Sequence, residues 1–138
     1  MTPPSHRSTP VWMRRTLWAA AIYNLAWGAW VVADPLAIFR WSGVDPLPNY
    51  PQLWQCVGMI VGVYGVGYAL AARDPLTHWP IVVVGLLGKV LGPIGFVQSA
   101  IAGTLPWPLG LTIVTNDLVW WWPFAAILAA ARRECAVS

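Results

Sequence analysis

Polar residues fall in narrow bands along this chain, and between them run four apolar stretches near residues 16–33, 53–72, 79–101 and 107–131. A helix needs about 20 residues, at roughly 1.5 Å each, to cross the ~30 Å hydrocarbon core of a bilayer, and each stretch is close to that length or longer. The first holds no charged residue, the second is interrupted only by Gln55 near its start, the third carries Lys89, and the fourth carries Asn116 and Asp117. This pattern predicts an all-α fold, a four-helix transmembrane bundle over residues 16–131. A disordered tail over 1–15 and a short tail over 132–138 flank it. Asp34-Pro35 and Asp74-Pro75 close the first two stretches, joining a capping side chain to a residue that cannot continue a helix. The long connection 34–52 contains Leu36, Ile38, Phe39 and Trp41, which suit a short interfacial segment between helices one and two. The 73–78 and 102–106 links are short, so consecutive helices are expected as antiparallel neighbours.

Composition sharpens this picture. Eight Lys+Arg and five Asp+Glu among 138 residues, against 58% hydrophobic residues, are too few charges to cover a small soluble domain. The same balance excludes intrinsic disorder of the whole chain. The net charge of +3 is not gathered into a phosphate-binding patch, so nucleic acid is excluded as a partner and the lipid bilayer is the expected one. With four spans, Arg7, Arg14, Arg15, Arg73, Arg132 and Arg133 share one side of the membrane and Arg40 stands alone on the other. The positive-inside rule then makes both termini cytoplasmic. A cleaved leader ending at Val31-Val32-Ala33 is the weaker reading, because the apolar stretch is long and carries Asn24 and three Trp. Arginine outnumbers lysine seven to one, a coding bias that points to a bacterial inner membrane. Cys56 and Cys135 fall on opposite faces, which rules out a disulfide between them. No His/Cys spacing suggests a metal, and no cofactor is expected.

Ionisable side chains inside a membrane cost about 2.5–3.5 kcal/mol each and mark functional sites by default. Lys89 and Asp117 each lie ten residues into their helices, at matching depth, which suggests a pair. Pro93 and Pro123 lack N–H groups, freeing the carbonyls of Lys89 and Val119 beside it. Asn116, Asn24, Tyr64, Tyr68 and Gln55 complete the polar candidates. At helical spacing Trp120, Trp121 and Phe124 follow Asp117 on one face, and Trp27 follows Asn24, giving the aromatic walls of a prospective pocket. Trp12, Trp41, Trp54, Trp79 and Trp107 suit the aromatic belts at the membrane surface. The structural readings weigh against these: Lys89–Asp117 as a lock between helices, the amides as interhelical hydrogen bonds, and the tyrosines as core. Gly58-x-x-x-Gly62 predicts close helix packing, and Gly85, Gly88, Gly92 and Gly95 form one smooth face for a neighbouring backbone, within the bundle or in a dimer.

The run from Tyr50 to Gly65, with His78-Trp79-Pro80-Ile81, Gly88-Lys89, Gly92-Pro93 and Asn116-Asp117-Leu118 ahead of the tryptophans and Pro123-Phe124, resembles a family of small bacterial four-span membrane proteins. The resemblance covers residues 23–124 and implies the four spans without an established activity. Some relatives carry an alkyl hydroperoxide reductase label. That label implies a soluble thioredoxin-like fold with a cysteine in a Pro/Thr-rich loop, whereas Cys56 opens an apolar span that blunts its reactivity. The tryptophan content is similar to that of tryptophan-rich sensory proteins by composition alone.

Four functions follow from these residues. The favoured one is binding of a small lipophilic ligand or lipid at the buried polar and aromatic site. The next is a structural or accessory subunit of a larger membrane complex. A proton- or ion-coupled carrier acting as a homodimer, and an enzyme using Lys89 and Asp117 as base and acid, rank lower. No catalytic residue is assigned.

Overall fold

The computed structural model describes residues 9–136, and within them the chain is helical with no strand. Four segments are long and apolar enough to cross a membrane: Val11–Ala33, Pro51–Ala71, Trp79–Ile101 and Trp107–Cys135. We name the first helix α1 (Val11–Ala33), the short one after it α2 (Ala37–Ser42), the next two α3 (Pro51–Ala71) and α4 (Trp79–Ile101). The fourth segment is composite. A 3-10 turn at Trp107–Leu109 leads into α5 (Gly110–Ile113), a π-helical turn at Val114–Leu118, and α6 (Val119–Cys135).

Helices run past the limits of the apolar stretches because the backbone needs no hydrocarbon to stay helical. α1 starts at Val11, so residues 11–15 belong to it and not to a tail, and Met13 and Leu17 are buried while Arg14 and Arg15 remain exposed. α6 continues through Arg132 and Arg133, whose charges suit the negative end of the helix dipole. The rest of the expected tails, residues 1–8 with Arg7 and residues 137–138, lies outside the described residues. Pro51 opens α3 and Pro80 sits in the first turn of α4, where a missing N–H is harmless. Gly43 closes α2 in the left-handed conformation, with φ of 77°.

α1 and α3 lie in close contact along their length. A Cβ added to Gly28 would come within 2.5 Å of the Gly58 carbonyl oxygen, and one on Gly65 within 2.9 Å of the Ala21 oxygen. Glycines here let two backbones touch, as the Gly58-x-x-x-Gly62 motif predicts. The glycine stripe of α4 behaves otherwise. Gly85 receives the Tyr68 ring and Gly92 the Asp117 carboxylate, while Gly88 and Gly95 face open space. That smooth face borders a cavity and no backbone approaches it.

Packing divides the bundle by depth. At the end carrying the described termini, Met13, Leu17, Ala20, Tyr68, Val82, Phe124 and Ile127 form a dry core with their neighbours. At the other end Ile38, Phe39 and Leu109 form a smaller cluster against Leu36, Val44, Trp54, Phe96 and Leu105. α2 therefore turns Ile38 and Phe39 into the bundle and leaves Trp41 outside. Arg40 donates to the Asp34 carboxylate at 2.6 Å, fastening α2 to the end of α1. The Asp34 side chain thus serves as an anchor, while its backbone N–H, bonded to the Trp30 carbonyl, holds the C-cap position of α1.

Candidate functional site

Between the two clusters lies a cavity of about 530 Å³. α3 contributes Trp54, Val57, Val61, Tyr64 and Tyr68, a stripe at helical spacing, and α4 contributes the four glycines with Lys89, Phe96 and Ser99. α1 adds Asn24 and Trp27, and the fourth segment adds Thr112, Asn116 and Asp117. The volume lies within the range of small-molecule pockets, and the walls are mostly apolar with a few polar groups gathered at depth.

Those polar groups are buried: Asn24 is 2% exposed, Lys89 4% and Asp117 5%. Lys89 and Asp117 approach each other without an ion-pair contact. The Lys89 ammonium instead donates to the Asn116 backbone carbonyl at 2.5 Å, and it lies 6.0 Å from the Tyr68 ring centre and 5.9 Å from that of Trp120. Asp117 accepts from Asn116 Nδ2 at 3.3 Å. The direct pair expected from matching depth is therefore replaced by a looser arrangement in which the π-helical turn offers its own carbonyl to the lysine.

That turn also redirects the aromatic residues. Val119 N–H donates back to the Val114 carbonyl, accommodating one extra residue, and each residue on a helix subtends about 100°. The expectation that Trp120, Trp121 and Phe124 share the face of Asp117 assumed an unbroken α-helix, and it is corrected here. Phe124 is fully buried in the dry core, edge-on to Tyr68 at 5.1 Å. Trp120 Nε1 donates to the Thr115 carbonyl at 3.2 Å, within the turn itself. Trp121 Nε1 donates at 2.8 Å to the Lys89 carbonyl, the acceptor freed by Pro93. Two indoles thus serve irregular backbone, and none of these three side chains lines the cavity.

Of the remaining expected residues, Asn24, Trp27, Tyr64, Tyr68, Lys89, Asn116 and Asp117 line the cavity together. Gln55 does not; its Nε2 donates to the Val32 carbonyl at 2.9 Å and ties α3 to the end of α1. Trp54 reverses its assignment to the aromatic belt. Its ring packs on Trp27 at 5.9 Å and Phe39 at 5.2 Å, forming a collar at the α2 end of the cavity. The spacing of Trp54 from Val57, Val61, Tyr64 and Tyr68 carried that signal in the sequence. Phe96, at i+4 from Gly92 and i+7 from Lys89, carried the same kind of signal on α4, whereas Phe39 carried none, because its placement depends on how α2 folds over the opening.

Three buried side-chain atoms among the described residues lack a hydrogen-bond partner: Asn24 Oδ1, Asn116 Oδ1 and Trp54 Nε1. All three residues line this one cavity. Each of these atoms is closed off by its neighbours, and a buried polar atom left unmet costs about 1–3 kcal/mol. Comparison of the chain with family models, curated proteins and solved structures returns no match. The functional reading therefore rests on the site itself.

Proposed function

We propose that this protein is an intramembrane receptor or carrier site for a small lipophilic molecule bearing polar groups, held in the cavity between α3, α4 and the fourth segment. The observation that carries this reading is the cavity itself, about 530 Å³ of mostly apolar-walled space with the buried Lys89 and Asp117 at its deep end. Val57 and Ile60 line its wall and are also exposed, which supports entry from the surrounding membrane between α3 and α4. The arginine distribution supports both termini in the cytoplasm, and the excess of arginine over lysine supports a bacterial inner membrane. The cavity would then reach from the outer boundary to mid-membrane.

Gly88→Leu tests the reading. Gly88 lines the cavity and a Cβ added there meets no atom within 4 Å, so a leucine side chain starts in open space and occupies the cavity. The variant should fold, hold its thermal stability, and lose the small lipophiles that copurify with the parent, as read by native mass spectrometry from nanodiscs. Identical copurifying species in parent and variant would overturn the proposal.

The alternative, a purely structural subunit, draws on the Lys89 ammonium, which ties α4 to the π-helical turn through the Asn116 carbonyl. It accounts for Lys89 but leaves the cavity beside it without a purpose.

A further inference from the structure

We infer that the cavity selects an uncharged lipophile that presents a carbonyl oxygen to Lys89, a ketone, ester or amide in preference to a hydrocarbon, a carboxylate or an amine. The inference rests on the reading above, that the cavity holds a lipophile at all.

Lys89 is the only lysine of the chain, and its ammonium carries three N–H donors. One is met by the Asn116 backbone carbonyl, and no other acceptor among the described residues takes a second. The Tyr68 and Trp120 rings, centred 6.0 and 5.9 Å away, act on the charge from a distance and do not take an N–H. Lys89 is 4% exposed and lines the cavity, so that space is where its remaining donors find a partner. A hydrocarbon filling the space would shut those N–H groups off from any acceptor, which is costly for a charged donor. An occupant carrying an oxygen meets them instead, and hydrogen bonds from an ammonium are stronger than those between neutral groups.

Charge narrows the class further. Asp117 follows Asn116 in the chain, and its Oδ2 faces Gly92, three residues beyond Lys89 on α4, where an added Cβ would stand 3.4 Å from it. Ammonium and carboxylate therefore border the same stretch of cavity and balance each other without touching. A ligand carboxylate would set a second negative charge beside Asp117, and a ligand ammonium a second positive charge beside Lys89. Either leaves one charge unpaired among mostly apolar walls. A neutral carbonyl accepts from Lys89 and leaves the balance as it is.

The wall of α4 has room for the body that carries such a group. A Cβ added at Gly88, next to Lys89, or at Gly95, toward the α2 end, would meet nothing within 4 Å. This flat wall, with Tyr64 and Phe96 also lining the cavity, suits an aryl ring. Its alkyl tail would then run out past Val57 and Ile60, which line the cavity and are exposed.

The test uses the full chain in nanodiscs, with empty nanodiscs as the partition blank, and four probes that differ only in the head. They are 4-octylacetophenone, its isostere 4-octyl-α-methylstyrene with a methylene in place of the oxygen, 4-octylbenzoate and 4-octylbenzylamine. Binding is measured by equilibrium dialysis at pH 7. The acetophenone should bind at least tenfold more tightly than the styrene, the equivalent of about 1.4 kcal/mol. The benzoate and the benzylammonium should bind no better than the styrene. Lys89→Met should abolish the tenfold preference. Because that variant is expected to lose stability, a second readout uses the unaltered chain: the infrared stretch of an isotope-labelled acetophenone carbonyl should fall to lower frequency than in empty nanodiscs. Equal binding of acetophenone and styrene, an unshifted carbonyl band, or a preference that survives Lys89→Met overturns the selectivity while leaving the lipophile site standing. A charged probe binding as tightly as the acetophenone overturns neutrality, and no probe exceeding the blank overturns both readings.

Discussion

Trp121→Phe isolates the contact that meets the carbonyl left free by Pro93 in the middle of α4. Pro93 removes the donor that the Lys89 carbonyl would meet in an unbroken helix, and the Trp121 indole replaces it at 2.8 Å. Phenylalanine keeps most of the ring volume, so the packing change is small. The carbonyl, however, is left facing an apolar interior, at a cost of about 1–3 kcal/mol. The expected outcome is a loss of that size in unfolding free energy, measured by reversible denaturation in mixed micelles. The control is the same substitution in a Pro93→Ala background, where the restored N–H at position 93 meets the Lys89 carbonyl directly. There the loss should shrink to about 0.5 kcal/mol or less, giving a coupling of at least about 1 kcal/mol between positions 93 and 121. Equal losses in the two backgrounds would refute the argument that Trp121 stands in for the missing amide.

Three further outcomes are expected. Lys89→Met should destabilise the protein by about 3 kcal/mol, and adding Asp117→Leu should recover only part of this, because the Asn116 carbonyl stays without its donor; full recovery in unfolding assays would restore the simple pair. Gly28→Ala should cost at least about 2 kcal/mol, since its Cβ meets the Gly58 carbonyl, whereas Gly95→Ala should change thermal stability by less than about 0.5 kcal/mol. In the 73–78 link, the Thr77 hydroxyl donates to Asp74 at 2.7 Å and holds its carboxyl below the usual value of 3.8. The depressed value means this contact stabilises the link above about pH 4 and loses that effect as pH falls through the folded-state value, so Thr77→Val should move the Asp74 titration, followed by NMR, upward.

The four helices and their count were legible because the bilayer imposes a single requirement, about 20 apolar residues with every backbone polar group satisfied internally. The depth of Lys89, Asp117 and Asn24 followed from counting residues, since rise per residue is a local property of a helix. So did the close fit of α1 at Gly58, where absence of a side chain is itself the signal, although a side chain on Gly62 would meet open space. What counting along one regular helix could not reach was anything that depends on phase across a break in that helix. The π-helical turn at Val114–Leu118 rotates everything after it, which took Trp120, Trp121 and Phe124 off the cavity and put the Asn116 carbonyl in reach of Lys89. Nor could the chain alone disclose which glycine stripe meets a backbone and which faces a void: α3 and α4 carry similar stripes, and only the closeness of α1 to α3 separates them. Trp54 shows the same division, its spacing along α3 being local while its burial depends on Phe39 arriving from α2 to close the collar. Secondary structure in a membrane is decided within each segment by backbone hydrogen bonding, but a cavity is the space left between segments, and its shape exists only once all of them have packed.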